Sequence, residues 1–318
     1  MTNLERKIVT SKPIKFVVRQ SKKIILPGFN KIPLYDVTTF FVKQLANTSI
    51  STRASSIAFN LIIAIPAGFL FLFTIVPHLP KAVRVNFTNE LLKLIAPHLT
   101  PNPSTEYWLK SSLDDFINTQ RGGLSVLGIF LVLWATSNAM MGIMKSFDHT
   151  IILKKHKNFF QNRWTAIKLT SLLLFIVIAC VCLLVSEGAL LKLLLKYWHL
   201  QNATTKTLIK ILDWIVITSI SMLSIGAIYR YAPANKKRWP IITPGTILTT
   251  LLLLLTTFIF SYYVNNFSNY NKLYGSVGTV IIIMIIIYFN SLVLLVGFEL
   301  NNSITSLQTQ NIEESKTD

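Results

Sequence analysis

Six stretches of this chain run long and apolar with almost no charge: residues 54–77, 122–144, 166–186, 211–229, 241–264 and 275–299. A helix needs roughly 20 such residues to cross the hydrocarbon core of a bilayer. The last stretch reads YGSVGTVIIIMIIIYFNSLVLLVGFELNN from Tyr274 to Asn302, and no formal charge falls between Lys272 and Glu299. The fourth, DWIVITSISMLSIGAIY, is short and rich in Ser and Thr. The pattern predicts an all-α membrane protein, a six-transmembrane-helix bundle with additional interfacial helices.

The connections test that count. Lys and Arg number ten in residues 1–53, five in 145–165 and four in 230–240. The other connections hold five in 78–121, four in 187–210 and one in 265–274. Dense and sparse loops alternate as six spans with both termini in the cytoplasm require. Dropping the fourth span would place a basic loop on the wrong side. The organisation that follows is a basic cytoplasmic segment with an interfacial helix (1–53), a six-span membrane domain (54–299) and a cytoplasmic tail (300–318). The tail ends in NIEESKTD, a polar composition that predicts disorder.

Some segments mix apolar and basic positions at helical spacing. LYDVTTFFVKQLANTSI (Leu34 to Ile50) sets Val37, Phe40, Phe41 and Leu45 on one face. Asn86 to Leu99 and Gly188 to Leu200 are similar. Such stretches fit helices lying in the membrane surface, or helices packed on the bundle.

Composition agrees with the pattern. The chain has 318 residues, 52% of them hydrophobic and 14% charged, where soluble domains carry about 25% charged residues. The net charge of +18 reads as topology and as contact with anionic lipid headgroups. No nucleic-acid partner is expected, and homo-oligomers are compatible with the chain. Cys180 and Cys182 sit two apart in an apolar helix and point to nearly opposite sides, so they form no disulfide with each other. The first 53 residues lack the apolar core and small-residue cleavage site of a signal peptide.

Polar residues inside the spans carry the functional signal. Measured from the cytoplasmic ends, Asn60 and Asn138 lie roughly 9 Å deep, Ser224 and Thr246 about 8 Å, and Asn290 about 13 Å. Thr243, Thr246, Thr250, Thr257 and Ser261 form a hydroxylated stripe along the fifth span. Asn60, Asn138, Ser224, Thr246, Thr250 and Asn290 are therefore the candidate lining of a polar cavity open to the cytoplasm. The alternative is glue between helices, since Ser and Thr bond their own helix carbonyls and Asn bridges neighbours. Pro66 and Gly128, Gly226, Gly245 and Gly278 allow kinks and close approach. Glu299, ending the sixth span beside Tyr288, Ser291 and Leu295 on one face, calls for a cationic partner at the cytoplasmic interface. Arg53 and Arg230 are the candidates.

No catalytic, cofactor-binding or metal-ligating set emerges. His78, His98, His149, His156 and His199 are dispersed over loops, and Asp148, His149 and His156 match no common metal spacing. There is no P-loop, dinucleotide glycine motif or nucleophile elbow.

An ordered set of motifs is recognisable: RASSIAFNLIIAIPAG, LVLWATSNAMMGIMKSFDH, FFQNRWTAIKLT, YRYAPANKKRWPIITPGT and YGSVGTVIIIMIIIYFNSLVLLVGFEL. Together, from about residue 35 to 303, they resemble the YihY/BrkB family of bacterial inner-membrane proteins. By that resemblance Trp134, Pro233, Tyr274, Gly275, Gly297 and Glu299 sit on signature positions. Phe298 departs from the family's small residue before the Glu, and Ile-Tyr-Phe-Asn replaces a Trp-containing run. The resemblance implies six spans in the inner membrane and no settled activity. Its members have been labelled ribonuclease BN, which these residues do not support, or virulence factors, and transport of lipid-like or envelope substrates has been suggested. A transporter-like or envelope-homeostasis role is the resulting expectation, with a structural or interaction protein as the alternative and a membrane-associated ribonuclease as a remote one.

The topology makes a direct prediction. Cysteine introduced at Asn202 or Asn269 should react with a membrane-impermeant thiol reagent from outside, and cysteine at Asn235 should not. The reverse labelling pattern refutes the topology.

Overall fold

The computed structural model describes residues 18–29, 32–75, 111, 122–151, 158–176, 203–235, 238–266 and 268–317, and among these the regular structure is helical, with no strand. The principal helices are α1 (Leu34–Asn47), α2 (Ile50–Ile75), α3 (Gly122–Asp148), α4 (159–176), α5 (Ala203–Tyr231), α6 (Pro244–Asn266) and α7 (Ser268–Thr317). The chain forms two compact units. One gathers Met1–Phe59, Gly142–Phe159 and Ser221–Asp318, and the other Asn60–Met141 and Phe160–Ile220.

Among the described residues, three stretches are long and apolar enough to cross a bilayer: Trp214–Tyr231, Pro244–Tyr262 and Val280–Ile312. They fall on the expected fourth, fifth and sixth spans. A fourth exists if Leu34–Asn47 and Ile50–Pro66, bent by 68°, count as one. The bend follows Ser49, whose φ of 46° lies in the left-handed region that L-residues enter at a cost. The expected second span lies on α3. The third is helical over 166–176 and otherwise falls outside the described residues, as do residues 86–99 and 188–200. The short fourth span belongs to a helix of 29 residues.

Local chemistry explains where α6 begins. Pro244 occupies the first helical position, where its missing N–H costs nothing. Thr243 before it caps the helix, its Oγ1 accepting from the Thr246 N–H at 3.1 Å. A second helix completes the cap. Asn301 of α7 accepts the Gly245 N–H on Oδ1 at 2.9 Å and donates from Nδ2 to Thr243 Oγ1 at 2.8 Å. The Thr246 hydroxyl donates to the Ile241 carbonyl at 3.1 Å, so Thr243 supplies the hydrogen of its 2.7 Å contact with Thr246 Oγ1.

That cap rests on a backbone-to-backbone crossing of α6 and α7. A Cβ built on Gly297 would lie 1.7 Å from Thr249 Oγ1, and one on Gly245 would lie 2.1 Å from the Gly297 carbonyl. Gly226 of α5 is similarly pressed against the Ile241 carbonyl, at 2.4 Å. Beside the crossing, the buried Tyr229 hydroxyl donates to the Leu294 carbonyl at 2.6 Å and receives the Thr249 hydroxyl at 2.6 Å. Phe147 stacks on Phe298 with ring centroids 4.1 Å apart, and Tyr229 and Trp239 pack around that pair at 6.2 Å and 5.5 Å from Phe298. Phe298, the departure before the Glu, is the centre of an aromatic cluster.

One expectation needs correction here. The segment 300–318, read as a disordered tail, continues α7 as helix through Thr317. Leu300, Ile304 and Leu307, spaced four and three apart, give it an apolar face, and that face packs on Phe29, Ile32, Leu34 and Val37. At 1.5 Å per residue, α7 is about 75 Å long, well over twice the hydrocarbon thickness. The α1 segment agrees with the second of its two readings, a helix packed on another helix. Its Val37 face is buried against α7, where removing such a side chain from water stabilises by about 2 kcal/mol.

Gly297→Ala should disrupt the crossing, because Thr249 and the Gly245 carbonyl leave no room for a methyl group. Loss of roughly 1–3 kcal/mol is expected, the usual cost of overpacking. It should appear as a lower midpoint of thermal unfolding in detergent. Adding Thr249→Ala should recover part of it, and an unchanged midpoint for Gly297→Ala contradicts the packing.

Candidate functional site

Glu299 ends the apolar run of α7 and is completely buried. A carboxylate there needs a charged partner. Arg53, one turn into α2, reaches it from below 10% exposure: Nη1 donates to Glu299 Oε1 at 2.6 Å. The rest of the guanidinium is also committed. Nε and Nη2 both donate to the Ser146 carbonyl near the end of α3, at 3.0 and 2.7 Å. Thr150 adds its hydroxyl to Glu299 Oε1 at 2.9 Å, and Asn302 Nδ2 holds the Thr150 carbonyl at 3.1 Å. Glu299 Oε2 and the hydroxyl of Ser303, four residues on, are buried without partners among the described residues. Ser51 and Tyr288, with hydroxyls 2.9 Å apart, tie α2 to α7 a second time.

Arg230 is not the partner of Glu299. Its Nη1 lies 3.5 Å from the Trp239 carbonyl and its guanidinium 5.6 Å from the Tyr231 ring. The first contact turns it to the loop between α5 and α6, and the second keeps it on the last residue of α5. The same loop is pinned by Asp148, whose Oδ1 accepts the Ala234 N–H at 2.8 Å.

The candidate cavity residues do not form one layer within the first unit. Thr246 and Thr250 are buried, and both hydroxyls are spent on carbonyls: Ile241 for Thr246, and Thr246 itself for Thr250. Ser224 is half-buried on α5. Asn290 is half-buried farther along α7, and its Oδ1 has no hydrogen-bond partner among the described residues. It faces a groove of about 290 Å³ lined by Thr256, Thr257, Phe260, Ser261 and Ile286. The hydroxylated stripe of α6 therefore splits. Thr243, Thr246 and Thr250 serve the helix crossing, whereas Thr257 and Ser261 border the groove. Thr256 and Thr257 already donate to the Leu252 and Leu253 carbonyls at 2.8 Å, so neither hydrogen is available to Asn290.

In the second unit Asn60 is half-buried on α2 and Asn138 is exposed on α3. Arg163 of α4 donates from Nη1 to Asn138 Oδ1. Sequence reasoning passed over this arginine and over Asn301. Arg163 was legible only as one basic residue of FFQNRWTAIKLT. For Asn301 a signal existed: the Thr-Pro-Gly-Thr run marks a helix start, and a second amide follows directly after the buried Glu299. Among the described residues no three His, Cys, Asp or Glu side chains gather into a metal site.

The pair generates a comparison between the two arginines. Arg53→Gln leaves Glu299 buried and unpaired, and should cost about 3–5 kcal/mol. Arg230→Gln removes one long hydrogen bond at a partly exposed side chain, and should cost about 1 kcal/mol or less. Thermal unfolding in detergent ranks them; equal losses would contradict the assignment of Arg53.

A ribonuclease-like protein, YfkH, of Bacillus subtilis is 26% identical over 251 residues, covering 79% of this chain and 88% of that protein. A UPF0761 membrane protein of Stenotrophomonas maltophilia is 31% identical over 94 residues, 30% of this chain and 22% of the relative. Another, of Pseudoalteromonas translucida, is 31% identical over 96 residues, 30% of this chain and 31% of the relative. No solved structure matches significantly. The profile of the virulence factor BrkB family matches residues 41–318, from within α1 to the end of the chain. The chain belongs to the BrkB family of membrane proteins.

Proposed function

We propose that this protein spans the bacterial inner membrane six times, with both termini in the cytoplasm, and handles a lipid-like or other envelope substrate through a polar cavity. It is a transporter-like or envelope-homeostasis factor and not an enzyme. The alternating loop charge supports the topology, and α3 and α4 supply helices where the second and third spans are expected. Two acids on the cytoplasmic side of this topology, Asp148 and Glu299, are engaged in structural bonds, which favours a non-catalytic role.

The observation that carries the reading is Asn290. An amide acceptor left unpaired in hydrocarbon costs several kcal/mol, yet Asn290 Oδ1 is buried without a partner among the described residues, and the residue lines a groove. A substrate that brings a hydroxyl or amide N–H to that groove offsets the cost. The second reading, a structural protein whose polar residues only join helices, has its own support. The hydroxyls of Thr246, Thr250 and Ser291 are all satisfied by carbonyls.

Lipid analysis of a deletion strain separates the two. The deletion should shift membrane or envelope lipid composition, and the wild-type gene should restore it. Asn290→Leu, inserted at normal levels and as stable as wild type or more so, should fail to restore it. An unchanged lipid profile in the deletion, or full restoration by Asn290→Leu, overturns the transport reading.

A further inference from the structure

The second unit contains a cation that the proposed function does not use. Arg163 stands one turn into α4, and the groups its guanidinium contacts among the described residues are neutral. Nη1 donates to Asn138 Oδ1 and approaches Met141 Sδ at 3.4 Å, and Nη2 approaches the Trp134 carbonyl at 3.4 Å. The guanidinium carbon lies 3.9 Å from the centre of the Trp134 ring. Its Nε is buried with no partner among the described residues. Arginine does not shed its proton in proteins, so a full positive charge is held here. Among the described residues no carboxylate neutralises it, in contrast to Arg53.

The surroundings say what kind of anion fits. Trp134 is 54% exposed and Phe130, stacked beside it at 6.4 Å, is 63% exposed. One residue past Arg163, Trp164 is 59% exposed with the Lys168 ammonium 5.3 Å over its ring. An unneutralised planar fork thus adjoins two exposed aromatic rings, with a second cation along the same helix. A guanidinium fork matches phosphate oxygens two at a time. Exposed Trp and Phe suit the boundary between headgroups and acyl chains.

We propose that Arg163 and Trp134 form a binding site for an anionic phospholipid, with the phosphate on Arg163 and the acyl chain along Trp134 and Phe130. Asn138 positions the guanidinium by occupying Nη1. Lys168 adds charge at the edge of the site. The site discriminates by headgroup charge, and it stands whether or not the protein transports anything.

The test uses the full chain purified in neutral detergent and titrated with phosphatidylglycerol or phosphatidylcholine, with retained lipid counted by native mass spectrometry. Wild type should prefer phosphatidylglycerol by about fivefold or more, the order expected for one or two basic side chains near a headgroup. Arg163→Gln should lose most of that preference, and Arg163→Lys should keep part of it. Equal preference in wild type and Arg163→Gln overturns the proposal. A photoreactive phosphatidylglycerol on the wild-type chain provides a readout that no variant's folding affects. Cross-links should map to the peptides containing Trp134 and Arg163, and mapping elsewhere overturns the assignment. Inorganic phosphate at millimolar concentration is the remaining arm. If it abolishes the lipid preference, the site belongs to a soluble anion and the lipid assignment fails.

Discussion

A carboxylate with no exposure to solvent, at the end of an otherwise uncharged apolar helix, constrains everything around it. Glu299 can stay there only if a cation reaches it and the cation's remaining donors are also used. Arg53 meets both conditions by bonding Glu299 with one nitrogen and the Ser146 carbonyl with two. One side chain thereby fixes the start of α2, the end of α3 and the middle of α7. Such a pair is weak evidence of net stability, because desolvating two charges costs as much as their attraction returns. What it enforces is a unique arrangement, since any displacement strands a buried charge.

The glycine crossing works within that frame. Two residues before Glu299, Gly297 lets α7 touch α6, and two residues after it, Asn301 caps the start of α6. Tyr229 closes the crossing from α5, and Phe298 fills the space toward Phe147. Residues 297–302 therefore serve four elements in fewer than two turns. With the helices locked together around Glu299 in this way, the polar groups left over become informative. Asn290 Oδ1 and Arg163 Nε are both buried without a hydrogen-bond partner among the described residues.

Much of this was legible in the sequence, for physical reasons. Long uncharged runs admit few structures other than membrane helices, so the helical class follows directly. The cost of an isolated carboxylate pointed to a cation, and topology narrowed the choice to Arg53 and Arg230. Choosing between them required coordinates, because both begin or end a helix at the same expected level. Depth along a helix proved a poor guide to company. Thr246 and Asn290 have similar depths, yet one is consumed in a cap and the other faces a groove, since depth omits the direction of the side chain. The tail was misread because its terminal charges masked the spacing of Leu300, Ile304 and Leu307. Arg163 escaped notice because a lone basic residue at a helix entrance looks like any topogenic charge. Only its proximity to Asn138 and Trp134 sets it apart.

The central claim is that Arg53 and Glu299 act as one unit. A double-mutant cycle in detergent, with Arg53→Gln, Glu299→Gln and both together, measures their coupling by thermal or chemical unfolding. The account predicts that Arg53→Gln costs far less once Glu299 is already Gln, with a coupling on the order of 2–3 kcal/mol. Losses that simply add would show that the two side chains do not depend on each other, and Glu299 would then need a different reason for being buried.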